Sequence, residues 1–212
     1  MIKKIPTYYA SVDEEGTGMF VVSLVDEPAV EVGWQLFEKT QEMFKVESEE
    51  KRIILGVVML AETPILRYNE EMGKYYIKYS KETIEKMVQK FFKEGYQENV
   101  DTQHSFNLID GIELQQAFIK DTEKGISPAG FEKVPDGSLF FTYKVTSDEL
   151  WDEVKNGSWT GFSLAGSFSL EEFGIQKEED YDIADDVFDN DITDEEFNEI
   201  MDLIKQLNDK VK

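Results

Sequence analysis

With 22 Lys and Arg against 45 Asp and Glu in 212 residues, the chain carries a net charge of −23, while 41% hydrophobic and 13% aromatic content is enough for a sizeable core. That charge repels phosphate backbones, so no nucleic-acid partner is expected, and the longest apolar run, Ile53 to Ala61, falls far short of the ~20 residues of a membrane helix. The absence of Cys excludes disulfides, thiolate metal sites and a thiol nucleophile, and a single histidine, His104, excludes multi-histidine metal sites and two-histidine catalytic sets.

After Lys3-Lys4 the chain meets Pro6, Tyr8, Asp13 and Glu14 instead of an apolar stretch, so no secretory signal is expected. Segments rich in Val, Ile, Tyr and Phe predict strands over Met19 to Val25, Arg52 to Leu60, Lys74 to Tyr79, Gly111 to Lys120, Leu139 to Val145 and Gly161 to Leu170. One helix begins after Ser80, carries Ile84, Met87, Val88, Phe91 and Phe92 on a stripe and stops at Gly95. A shorter helix begins at Ser147, buries Leu150, Trp151 and Val154 and ends at Gly157. Short strands with two helices and no regular βαβ alternation define an α+β domain over residues 1–170, built on an antiparallel β-sheet or barrel flanked by helices. No glycine pattern suited to a phosphate is present, and no cofactor or metal is expected.

From Glu171 to the end the chain holds 16 acidic and 4 basic residues, half of the net charge in a fifth of the length. Residues 171–192 read as a solvated acidic linker. Residues 193–212 read as an amphipathic helix, opened by a capping box of Thr193 and Glu196 and carrying Phe197, Ile200, Met201, Ile204 and Leu207 at helical spacing. Its ordinary use is docking on its own domain or self-association.

Two places hold residues suited to proton transfer or nucleophilic attack. His104 lies in Val100-Asp101-Thr102-Gln103-His104-Ser105-Phe106, where regular strand parity puts it on a face with Val100, Phe106 and Leu108 and turns Asp101 away. A lone histidine there is ordinarily a partly buried residue satisfied by one hydrogen bond, but it is also the one side chain here whose ordinary pKa suits proton transfer near neutrality. From Gly161 to Leu170, Phe162, Leu164, Phe168 and Leu170 alternate with Ser163, Ala165, Ser167 and Ser169. This pattern fits a half-buried amphipathic strand; its small polar face also suits a serine nucleophile, with Gly161 and Gly166 allowing a substrate backbone close. Such a serine requires an adjacent base, and His104 is the one imidazole available. Parity does not separate Ser163, Ser167 and Ser169.

The residues resemble a known family. SLVDEPA from Ser23 to Ala29, GVVMLAETPILR from Gly56 to Arg67, YYIKYSKETIEKM from Tyr75 to Met87, the His104 segment and WDEVKNGSWTGFSLAG from Trp151 to Gly166 are similar, in order and spacing, to the XkdF-like phage prohead proteases. The similarity covers roughly residues 17 to 170. It implies an assemblin-like fold and a capsid-maturation serine endopeptidase that cleaves scaffold and major capsid proteins inside the prohead, in the host cytoplasm. The family's histidine falls on His104, and its serine, within a Gly-aromatic-Ser motif, on Ser163. The two are then expected within about 4 Å of each other. Assemblins orient the catalytic histidine with a second one, which this chain lacks, so that role passes to a carboxylate, another acceptor or nothing. They also place an arginine near the oxyanion, whereas Arg52 and Arg67 are the only arginines here and neither follows the serine; backbone N–H groups around Gly166 are the substitute expected. Relatives often carry an acid two residues after the serine, where this chain has Ala165, and Gln115-Gln116 occupies a strand where another acid is expected. The alternative function is an inactive protease-like scaffold or packaged structural protein of the phage head, for which the acidic linker and terminal helix would provide a docking element.

Overall fold

The computed structural model describes residues 5–12, 16–26, 44–69 and 72–172. The expected acidic linker from residue 173 onward and the expected helix over 193–212 lie outside the described residues.

Among the described residues, eleven strands and two α-helices follow in chain order: β1 Thr7–Ser11, β2 Gly18–Val25, β3 Phe44–Ser48, β4 Ile53–Met59, β5 Ile65–Asn69, β6 Gly73–Lys78, α1 Lys81–Lys93, a 3-10 turn Tyr96–Glu98, β7 Val100–Thr102, β8 Ile112–Ile119, β9 Leu139–Val145, α2 Asp148–Asn156, β10 Gly161–Ser167 and β11 Ser169–Glu172. The α+β class holds. The expectation of an antiparallel sheet or barrel is corrected in two respects, the barrel and the purely antiparallel pairing. The strands form three sheets, ordered β11-β1-β6-β5, β10-β2-β7 and β3-β4-β9-β8, and none closes on itself. Two of the pairings, β1 with β6 and β2 with β7, are parallel.

Both helices start and stop where their caps dictate. Ser80 accepts from Thr83 N–H and Ser147 from Leu150 N–H, each satisfying a first-turn donor that the helix leaves without an internal partner. Gly95 follows α1 and Gly157 caps α2 in the left-handed conformation, at φ 79° and φ 81°. The apolar stripe of α1 buries Ile84, Met87 and Phe91, and the helix packs on β2. Lys90 reinforces that contact by donating from Nζ to the carbonyls of Val12 and Thr17 at 2.6 and 2.9 Å.

The core lies between the sheets. Phe162 meets the rings of Phe44 and Tyr143, each with centroids 5.3 Å apart, and Phe91 meets Phe141 at 5.5 Å. The segment expected as one strand from Gly161 to Leu170 is divided at Phe168, because its first part pairs with β2 and its last part with β1. The register slips between Ala165 and Gly166, a bulge that re-aims the chain from one sheet to the next. Gly166 is required at this corner. A Cβ there would run into the carbonyl of Gly18 and lie 2.9 Å from the ring of Phe168. β1, β3, β5 and β7 are short strands without a sustained period-two pattern, and it is pairing that defines them.

Candidate active site

All eight residues of β2 are buried, as befits a central strand with neighbours on both edges and both faces covered. Val22 and Leu24 belong to the main core. The opposite face presents Val21 and Ser23, and here the three strands line up their polar residues. Ser163 of β10 lies directly opposite Ser23 of β2, which lies in turn beside Asp101 of β7. Residues facing each other in this way have Cβ atoms about 5 Å apart. The result is a row Ser163–Ser23–Asp101 across the sheet, with Ala165 and Phe106 packed on Val21 and Phe20 beside it.

His104 joins this row by leaving the strand. β7 ends at Thr102, and Gln103, His104 and Phe106 take left-handed backbone conformations at φ 52°, 52° and 56°. For non-glycine residues, and for a bulky phenylalanine above all, that is a strained state which surrounding contacts must hold. Gln103 N–H donates to Leu24 O at 2.9 Å, Ser105 N–H to Thr102 O at 3.0 Å and Ile109 N–H to Val100 O at 2.8 Å. Asp101 completes the clasp by accepting from Phe106 N–H through Oδ2 at 2.6 Å. Strand parity puts His104 on the Val100 face and turns Asp101 away only where the strand continues. The loop folds back instead, and the Asp101 charge acts on the imidazole.

The ring of His104 is hydrogen-bonded through Nδ1 to Ser23 Oγ at 2.9 Å. Among the described residues no hydrogen bond joins Ser163 directly to the ring; Ser163 stands one strand beyond Ser23. Ser167 faces Gly18 further along β10, and Ser169 belongs to β11 beside Ser11, so of the three candidate serines only Ser163 enters the row. Gly161 opens β10 opposite Val25. Ser23 and Asp101 are fully buried, at 0% exposure, whereas Ser163 keeps 9%.

Burial is the largest influence on the imidazole and holds its pKa below the ordinary value of 6.5; Asp101 pulls it up and Arg67 pushes it down. His104 is therefore neutral at physiological pH, the form in which it accepts a proton. Of the two arginines, Arg67 is the one whose field reaches this ring, while Arg52 pairs with Asp148 at 2.6 Å. One atom in the row is left over. Asp101 Oδ1 is buried and has no hydrogen-bond partner.

Ser23, which holds the ring, is not singled out by sequence reasoning. Its signal is visible in Met19-Phe20-Val21-Val22-Ser23-Leu24-Val25, where a single hydroxyl interrupts an apolar strand and must find a partner once buried.

A half-buried histidine drawn onto a row of serines by a strained loop is a constellation suited to serine-type nucleophilic catalysis. The model of the family described as "Putative phage serine protease XkdF" matches residues 39–172, and the chain belongs to that family. It is similar to the Phage-like element PBSX protein XkdF of Bacillus subtilis (strain 168), with 28% identity over 143 residues, covering 66% of this chain and 46% of the relative. It is also similar to the Uncharacterized protein YqbD of the same organism, with 27% identity over 135 residues, covering 62% of this chain and 36% of the relative. The chain thus spans less than half the length of these curated relatives. No solved structure matches.

Among the described residues no helix is long and apolar enough to cross a membrane, and no group of three or more His, Asp or Glu side chains is placed to hold a metal ion.

Proposed function

We propose that the chain is a serine endopeptidase of phage capsid maturation, acting on scaffold and major capsid proteins inside the prohead, with Ser163 as nucleophile and His104 as general base. Ser163 Oγ attacks the scissile carbonyl while His104 takes its proton and then returns it to the leaving amine; water, activated in the same way, hydrolyses the acyl-enzyme. The observation that carries this reading is the placement of the one imidazole, half-buried, on the face of the sheet that Ser163 shares, where it is hydrogen-bonded to Ser23 directly opposite Ser163. Exposure favours Ser163 over Ser23 as the attacking group, because Ser23 is fully buried and flanked on both sides by paired strands. Arg67 adds positive charge near the ring, where negative charge would develop on the substrate oxygen.

The test is co-expression with the cognate scaffold and capsid proteins, with mass spectrometry of assembled heads. Processed termini are expected with the wild type and with Ser167→Ala, and none with Ser163→Ala or His104→Ala. Processing that persists in Ser163→Ala removes Ser163 as nucleophile. Heads left intact by the wild type favour the inactive scaffold role.

A further inference from the structure

A histidine base works best when its second ring nitrogen is held, because that bond fixes both the tautomer and the ring plane. This chain has neither a second histidine nor, among the described residues, a carboxylate hydrogen-bonded to the ring. What it has is Ser23, 81 residues away in sequence, with Oγ 2.9 Å from Nδ1.

Resting on the reading of Ser163 as nucleophile, we infer that Ser23 is the positioning residue of the site: its Oγ accepts the Nδ1–H of His104, leaving Nε2 bare to take the proton of Ser163, while the Asp101 carboxylate offsets the charge of the imidazolium that forms. Three independent features support this division of labour. Ser23 lies in the middle strand and is fully buried, whereas Ser163, opposite it, is the less buried of the two at 9% exposure. Asp101, in register on the other side, keeps Oδ1 buried and unpartnered, an acceptor of the kind that the Ser23 hydroxyl proton needs once Oγ has accepted from the ring. Three left-handed residues are tolerated to bring the ring back onto this row, and Asp101 itself clasps the returning loop. A buried carboxylate beside a ring held by a hydroxyl supplies through its field the charge compensation that a directly bonded acid supplies in other Ser-His sites.

Because His104 is the only histidine, long-range ¹H–¹⁵N correlation spectra of the full chain report its tautomer without ambiguity. Above the ring's titration, the wild type is expected to carry its proton on Nδ1 with Nε2 unprotonated. A proton on Nε2 with Nδ1 bare would overturn the inference, since Ser23 would then be donating to the ring and would itself be the activated hydroxyl. Ser23→Ala is expected to release the tautomer towards Nε2–H, to shift the pH dependence of processing and to lower kcat/KM by about 10²-fold with KM little changed. Ser23→Thr, which keeps the oxygen, is expected to restore most of the loss. An unchanged tautomer and pH profile in Ser23→Ala would also overturn it. The wild-type spectrum decides the matter even where Ser23→Ala fails to fold. Labelling with a fluorophosphonate separates this inference from the reading beneath it: a label on Ser163 supports both, and a label on Ser23 overturns the positioning role. An unlabelled, inactive wild type removes the proteolytic reading, while the tautomer still reports whether Ser23 holds Nδ1–H.

Discussion

Removing the Asp101 clasp should separate its two roles, holding the loop and charging the ring. In Asp101→Ala the Phe106 N–H loses a charge-assisted hydrogen bond of 2.6 Å, an interaction worth about 1.5–3 kcal/mol. Against this, the left-handed conformations at Gln103, His104 and Phe106 each store on the order of 1–2 kcal/mol, part of which is recovered when the loop relaxes. Burial of an unpartnered Oδ1 is also relieved. The net cost expected is about 1 kcal/mol, read as a lower urea midpoint with an unchanged slope. Asp101→Asn keeps an acceptor for Phe106 N–H and should cost about half as much. It discards the charge, however, so the His104 pKa should fall further below 6.5, burial and Arg67 being the influences that remain. An Asp101→Ala midpoint within error of the wild type would refute the clasp. A His104 titration that stays in place in Asp101→Asn would refute the electrostatic coupling.

Other outcomes follow from the same geometry. His104 has a depressed pKa in the folded state, so below its ordinary 6.5 the unfolded chain binds the extra proton first; stability should decline as pH falls from about 6.5 through the folded pKa, and His104→Asn should abolish that part of the decline in a denaturation series. The lowered carboxylates Glu82, Asp121, Glu132, Asp136 and Asp152 contribute only at lower pH, below ordinary values of 3.8 to 4.5, which keeps the two windows apart. Gly166→Ala should destabilise by about 1–3 kcal/mol, since the new Cβ meets the backbone carbonyl of Gly18, which cannot swing aside as a side chain would. Tyr143→Phe should be neutral or stabilising by up to about 1 kcal/mol, because the hydroxyl is buried with no hydrogen-bond partner; a loss above 1 kcal/mol in chemical denaturation would show that the hydroxyl does have one.

Local physics made much of this protein readable in one dimension. Ser80 with Gly95 and Ser147 with Gly157 marked both helices, because a cap is a contact between residues only a few positions apart. β9 was legible to the residue, and Phe162, Leu164, Phe168 and Leu170 all reached the core as their alternation required. One member of the candidate site was legible too, since the chain holds a single imidazole.

The partner of that imidazole was decided only by the tertiary structure. Period-two reasoning holds while the strand continues, and β7 lasts three residues before the left-handed turn cancels it. Ser23 meets His104 because β2 and β7 pair in parallel, and Ser163 joins the same row because β10 pairs antiparallel on the opposite edge of β2. Which strands become neighbours is settled by burial of both faces of β2 across the whole molecule, a collective term that no stretch of sequence carries alone.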